Sequence, residues 1–125
     1  MERNITISVQ DMTFKAALNQ SRTAEAIWNA LPITSSVNTW GDEIYFSTGI
    51  SVPLEQGASA VVQMHDIGYW PSGQAFCIFF GQTPVSTPTE IRAASEVTII
   101  GRIEARTEDL KKVEDGSLIR LEKAG

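Results

Sequence analysis

The sequence predicts a mainly β domain, a closed eight-stranded barrel with two short helices, and three observations carry that prediction. Near the start, Ile5, Ile7 and Val9 alternate with Thr6 and Ser8, the period of two expected of a strand with one buried face. The helical spacing i, i+3, i+4, i+7 appears in one short stretch, Ala24, Ile27, Trp28 and Leu31. From Asp66 to Pro84 the chain reads D-I-G-Y-W-P-S-G-Q-A-F-C-I-F-F-G-Q-T-P. Its two short apolar runs, rich in residues that suit a pleated surface, flank Trp-Pro-Ser-Gly turn chemistry and predict a β-hairpin at the centre of the core. With no repeat and no linker, such a pattern points to a barrel rather than a parallel α/β sheet, and residues 1–125 to one domain.

Taken in order, the strand around Ile5 to Val9 is followed over Gln10, Asp11 and Met12 by a second, Thr13 to Leu18. The amphipathic helix takes Ser21 or Thr23 as its N-cap and Glu25 in its first turn, and Pro32 ends it. Ile33 to Trp40 and Asp42 to Ser47 read as strands around Gly41, with Ile44 and Phe46 on the face opposite Glu43 and Tyr45. Thr48 to Ser59 is an exposed loop. Gln82 to Thr89, with its prolines and hydroxyls, is a surface loop beside the hairpin. Val97, Ile99, Ile100 and Ile103 form a further strand. Thr107 caps a short helix that buries Leu110 and Val113, Asp115-Gly116 turns, and Leu118, Ile119 and Leu121 supply a last strand that returns to the first.

Charge separates the function classes. The formal net charge is −5, which offers no basic excess to phosphates or to an anionic membrane surface, so nucleic acid and membranes are not expected partners. From Thr23 to Ile91 there is no Lys or Arg, whereas Arg102 to Lys123 alternates signs as a solvated face does. A single Cys77 excludes an internal disulfide, and with His65 as the one histidine it falls short of a zinc ligand set. This cysteine usage fits a reducing cytoplasm, and with no apolar stretch long enough for a signal peptide or a membrane span the protein is expected to be soluble. No Gly-rich phosphate loop, nucleophile elbow or metal spacing occurs, so no metal and no cofactor is expected.

Several stretches resemble known proteins, of two kinds. V-T-I-I-G-R-I-E-A-R-T-E-D-L-K-K-V-E-D-G, Val97 to Gly116, and S-R-T-A-E-A-I-W-N-A-L, Ser21 to Leu31, resemble the terminal region and first helix of cyclophilins, the peptidyl-prolyl isomerases. G-D-E-I-Y-F at Gly41 to Phe46, Y-W-P-S-G-Q-A-F-C-I-F-F-G-Q-T-P at Tyr69 to Pro84, and I-G-R-I at Ile100 to Ile103 more closely resemble a family of small cyclophilin-like proteins from bacteria and archaea, without an established activity. The resemblance implies a cyclophilin-type barrel. It does not imply efficient isomerase activity. Cyclophilins hydrogen-bond the prolyl nitrogen with an Arg in an F-H-R stretch, on the strand that matches Glu43 to Ser47, and this chain has E-I-Y-F-S there. A charge-assisted hydrogen bond is worth roughly 1.5 to 3 kcal/mol, so its loss costs on the order of ten- to a hundredfold in rate.

The resemblance sets Gln74, before Phe76, against the Gly-Ser-Gln-Phe-Phe segment of cyclophilins, which implies a groove with an amide and aromatic walls. The candidate ligand-binding groove is therefore Phe46, Tyr69, Trp70, Gln74 and Phe76, taking a small molecule or a short peptide segment, with no catalytic residue assigned. A weak peptidyl-prolyl isomerase and a structural or subunit module are the alternatives, and a homo-oligomer stays open. Trp70 either packs under a loop or walls a pocket, and the same holds for Trp40 and Tyr45 around Gly41-Asp42. Phe46, Phe76, Phe79 and Phe80 are mostly core, because both faces of Ala75 to Phe80 are apolar. His65-Asp66 reads as a loop or edge pair, since strand neighbours point to opposite faces, and the family resemblance implies Gly where His65 stands. Cys77, in an apolar run without a nearby cation, reads as an inert core thiol.

Overall fold

The computed structural model describes residues 2–124. Ten strands and two helices are present among them. β1 (Arg3–Val9) and β2 (Met12–Leu18) form the first hairpin, α1 (Arg22–Ala30) follows, and β3 (Ile33–Ser36), β4 (Asn38–Thr39) and β5 (Glu43–Ser47) come next. β6 (Ser59–Val62), β7 (Asp66–Trp70) and β8 (Ala75–Phe79) precede the long β9 (Ile91–Glu104), then α2 (Thr107–Leu110) and β10 (Leu118–Lys123). The mainly β class, the two helices, the central hairpin and the return of the last strand to β1 agree with the sequence.

Closure is where expectation and structure part. The hydrogen-bonded order is β3-β10-β1-β2-β9-β7-β8-β5-β4, with β6 pairing on β9, and no ladder joins its two ends. The single strand expected over Ile33 to Trp40 is two: β3 pairs with β10 and β4 with β5, with Val37 between them. Val37 spends its backbone on the turn before β10, donating to Ser117 O at 2.8 Å and accepting from Gly116 N at 2.7 Å. The sheet is thus curled, since Ile33 of β3 and Ile44 and Phe46 of β5 share one interior cluster with residues of β1, β2, β7, β8, β9 and β10, but its ladder is open. The expected count of eight is two short because β3 and β4 read as one strand and β6, after the loop expected over Thr48 to Ser59, is not assigned from sequence.

The local chemistry explains the helices. Ser21, not Thr23, is the N-cap of α1, its Oγ accepting from Ala24 N at 3.1 Å. Thr23 is buried instead, with its N–H and hydroxyl donating to Glu55. In α2 the N-cap is Arg106, without a side-chain cap. Thr107 lies inside the helix, where its Oγ1 meets His65 Nε2 at 3.2 Å. Leu110 and Val113 are buried as expected.

A second, outer layer matters more for the site. β9 is long enough to serve two partners: its later part pairs with β7 and β2, and its first part carries β6 as a separate ribbon. Val62, Ala93 and Val97 of that ribbon pack on Ala75, Cys77 and Phe79, the outward residues of β8. The central hairpin is covered on both sides, as its doubly apolar strand requires.

Candidate functional site

Between the outer face of β5, β7 and β8 and the first part of β9 lies a cavity of about 290 Å³, lined by Trp40, Glu43, Tyr45, Trp70, Cys77, Ala93, Ala94 and Val97. Strand alternation selects these residues. On β5, Ile44 and Phe46 enter the interior, which turns Glu43 and Tyr45 outward; on β8, Phe76 and Ile78 point inward and Cys77 outward. Gly68 lies opposite Cys77 on β7, and a Cβ there would come 2.9 Å from Val97 Cγ2, so its lack of a side chain lets β9 close over the hairpin.

The aromatic rings are held by their neighbours. Trp70 donates from Nε1 to Ser95 Oγ at 2.6 Å, and its ring lies so close to Gly73 that a Cβ there would stand 3.0 Å away. Both roles considered for it from sequence are filled at once: it is packed, and it walls the cavity. Trp40 is set by a tight turn in which its N–H and that of Glu43 exchange bonds with each other's carbonyls, at 3.0 and 3.2 Å. That turn is clamped to the segment after β8 by Asp42 N to Gln82 O (2.9 Å) and Phe80 N to Asp42 O (3.0 Å). Ala93 and Ala94 are placed by the following loop, where Thr83 Oγ1 donates to Arg92 O at 2.5 Å and Arg92 N to Ser86 Oγ at 2.9 Å.

Glu43 is the polar centre. It retains 6% of its exposure, and burial pushes its carboxyl up from 4.5 to about 7, against a smaller opposing effect of a hydrogen bond with Cys77. Among the described residues it takes part in no ion pair, and no Lys, Arg or His lines the cavity. The Cys77 thiol is pushed up by burial and then by the neighbouring carboxyl, as expected of an inert thiol rather than a nucleophile.

Of the five residues expected to form the groove, Trp70 alone lines this cavity. Phe46, Tyr69 and Phe76 are 0% exposed. Phe46 and Phe76 stack at 5.1 Å in the interior, and Tyr69 is satisfied there by the Ile50 carbonyl and the Val52 N–H. Tyr69 and Trp70 are strand neighbours and so face opposite ways; they cannot share one groove. Gln74 takes a left-handed turn position at φ +49, and its carbonyl accepts from Thr48 N and Oγ1 at 2.9 and 2.8 Å. The sequence places Glu43 only on the face opposite Ile44 and assigns it no role. Its available signal was that β8, its neighbour, is apolar on both faces, so an outward residue beside it is covered too.

His65 and Asp66 hold separate partners, as their adjacency implied. Asp66 pairs with Arg102 Nη1 at 2.7 Å, and His65 sits at φ +72, the left-handed region that accounts for the glycine implied there by the resemblance. Larger recesses exist elsewhere, such as one of about 540 Å³ over Asn4 to Thr6 and Lys15 to Ala17 and one of about 500 Å³ between Arg22 and the Val52 to Gln56 loop. Neither gathers aromatic rings around a buried acid.

The family described as cyclophilin-like matches over residues 3–122. The chain is similar to a hypothetical protein of Archaeoglobus fulgidus, AF2241, known from a solution structure, with 40% identity and a TM-score of 0.82 over 98% of this chain and 95% of that one. It is also similar in fold to McbB, solved in complex with tryptophan, at 15% identity and a TM-score of 0.70 over 97% of this chain and 45% of that one. No curated protein matches.

Proposed function

Since the chain belongs to the cyclophilin-like family, we propose that it binds a small organic molecule in the cavity of Trp40, Glu43, Tyr45 and Trp70, in a cytoplasmic setting. The observation that carries this reading is the buried carboxyl of Glu43 on an aromatic wall, without an ion-pair partner. Burying an acid for stability alone is unfavourable, and an acid shifted by burial in a concavity is a candidate binding or reacting group. At about 290 Å³ the space is at the small end of ligand pockets, which favours a compact molecule over a peptide segment. McbB was solved in complex with tryptophan, and the likeness covers 45% of its chain at 15% identity, so it lends the fold only.

Efficient prolyl isomerisation is not part of this reading. The strand matched to the isomerase's arginine, β5, presents Glu43 and Tyr45 to the cavity, and no guanidinium lines it among the described residues. The test is a fragment screen read from the indole N–H resonances of Trp40 and Trp70, repeated on Ala93→Phe, which fills the cavity. Hits that move both indoles and vanish in Ala93→Phe are expected. Hits that persist in the filled variant, or a protease-coupled proline-peptide rate well above background that Tyr45→Ala abolishes, would overturn the reading.

A further inference from the structure

The chemistry of the cavity wall narrows its ligand. Three of the eight lining residues are aromatic, one is an acid, and Ala93, Ala94, Val97 and Cys77 complete an otherwise apolar surface. Trp70 has already committed its N–H to Ser95, so what it offers a ligand is its ring system. Rings of Trp and Tyr carry a negative face that attracts cations, most strongly when water is excluded. Glu43 adds the one formal charge the wall can carry, and its hydrogen-bonding neighbour, the Cys77 thiol, is a weak donor.

Among the described residues no Lys, Arg or His lines that position. The stretch from Thr23 to Ile91, which supplies Trp40 to Cys77, contains no Lys or Arg. Arg92, next to the Ala93 wall, is held by Glu90 at 2.8 Å. An anionic ligand would meet a carboxyl with no counter-charge, inside a molecule of net charge −5. A bare, strongly hydrated ion would lose its water against alanine and valine without replacement ligands.

We infer that the cavity recognises a small organic cation, an alkylated amine or quaternary ammonium group seated against Glu43 and among the rings of Trp40, Tyr45 and Trp70. The inference rests on the cavity being the binding site. Its alkyl groups fit the apolar wall, its charge answers the carboxyl, and the rings accept both.

The experiment compares choline with 3,3-dimethyl-1-butanol, its uncharged counterpart of the same shape, by tryptophan fluorescence and by the indole N–H shifts of the intact protein at pH 8. Choline is expected to bind more tightly than the alcohol by about tenfold or more. That preference is expected to collapse in Glu43→Gln, and to shrink in Trp70→Leu, a second variant that leaves the acid in place. Equal binding of the two compounds, or a preference untouched by Glu43→Gln, overturns the cation assignment while leaving the cavity as a binding site. Failure of choline to move either indole overturns the cation assignment, while the cavity as a binding site stands or falls on the fragment screen with Ala93→Phe.

Discussion

A carboxyl group that keeps 6% of its exposure beside a thiol holds its proton to about pH 7, and this makes Glu43 readable by titration. In the unfolded chain the group ionises near 4.5. Between those values the folded state binds a proton that the unfolded state has released, so stability falls as pH rises. The contribution is fully present below 4.5 and lost on passing through 7, at up to about 1.4 kcal/mol per pH unit. Denaturant unfolding at pH 5 and pH 8 is expected to register this loss in the native protein, and Glu43→Gln is expected to abolish it and to be the more stable of the two at pH 8. A flat native profile would mean that Glu43 is hydrated. Cys77, 1% exposed, is expected to resist a thiol reagent in the native state and to react at full stoichiometry in denaturant. The sequence identified Cys77 as buried because its whole run is apolar. It did not identify Glu43 as buried, because the cover over Glu43 comes from residues about fifty positions later.

At the scale of elements, the motifs that gave the resemblance hold two segments together. Gly41 has φ +58, and a Cβ there would stand 2.8 Å from Gln82 O; at Gly81 a Cβ would meet Asp42 Oδ2 at 2.3 Å. Each glycine makes room for the other's neighbour, so G-D-E-I-Y-F and F-F-G-Q-T-P are two halves of one contact. Gly41→Ala is expected to cost about 1 to 3 kcal/mol in denaturant unfolding, from backbone strain and a backbone clash together. It is also expected to shift the Trp40 indole resonance, since that turn aims Trp40 at the cavity. Ser21→Ala, which removes the cap on Ala24 N, is expected to cost about 1 kcal/mol without touching either indole. The capping residue of α1 was legible in sequence as one of two candidates, and backbone geometry chose between them. Thr107 was not legible as an interior position, because its hydroxyl is taken by His65, 42 residues away.

For the whole molecule, the consequence is a scaffold with two cores. The interior one packs around Phe46, Tyr69 and Phe76, and the outer one, under the β6 and β9 ribbon, borders the cavity. Removing an interior side chain tests stability; removing an outer one tests binding. Tyr69→Phe is expected to lower stability by about 1 kcal/mol by leaving the Ile50 carbonyl without its donor, with ligand affinity unchanged. Trp70→Leu is expected to weaken ligand binding, with a stability cost of its own from the lost Ser95 bond and ring packing. Were Tyr69→Phe to weaken binding as Trp70→Leu does, the separation of the two cores would be wrong.

What the sequence by itself determined is whatever depends on near neighbours: alternation makes strands, i to i+4 spacing makes α1, Pro-Ser-Gly makes the hairpin turn, and the quoted motifs mark the family. The mainly β class, the covered central hairpin and the buried thiol all follow from such local facts. Tertiary structure alone decided which face of each strand meets which cover. It divided β3 from β4 at Val37, left the ladder open, sent Phe46, Tyr69 and Phe76 inward, and brought Trp40, Glu43, Tyr45 and Trp70 around one cavity. The reason is physical: alternation says that two residues face opposite ways, but the partner waiting on each side is supplied by strands distant in sequence, whose register no local pattern encodes.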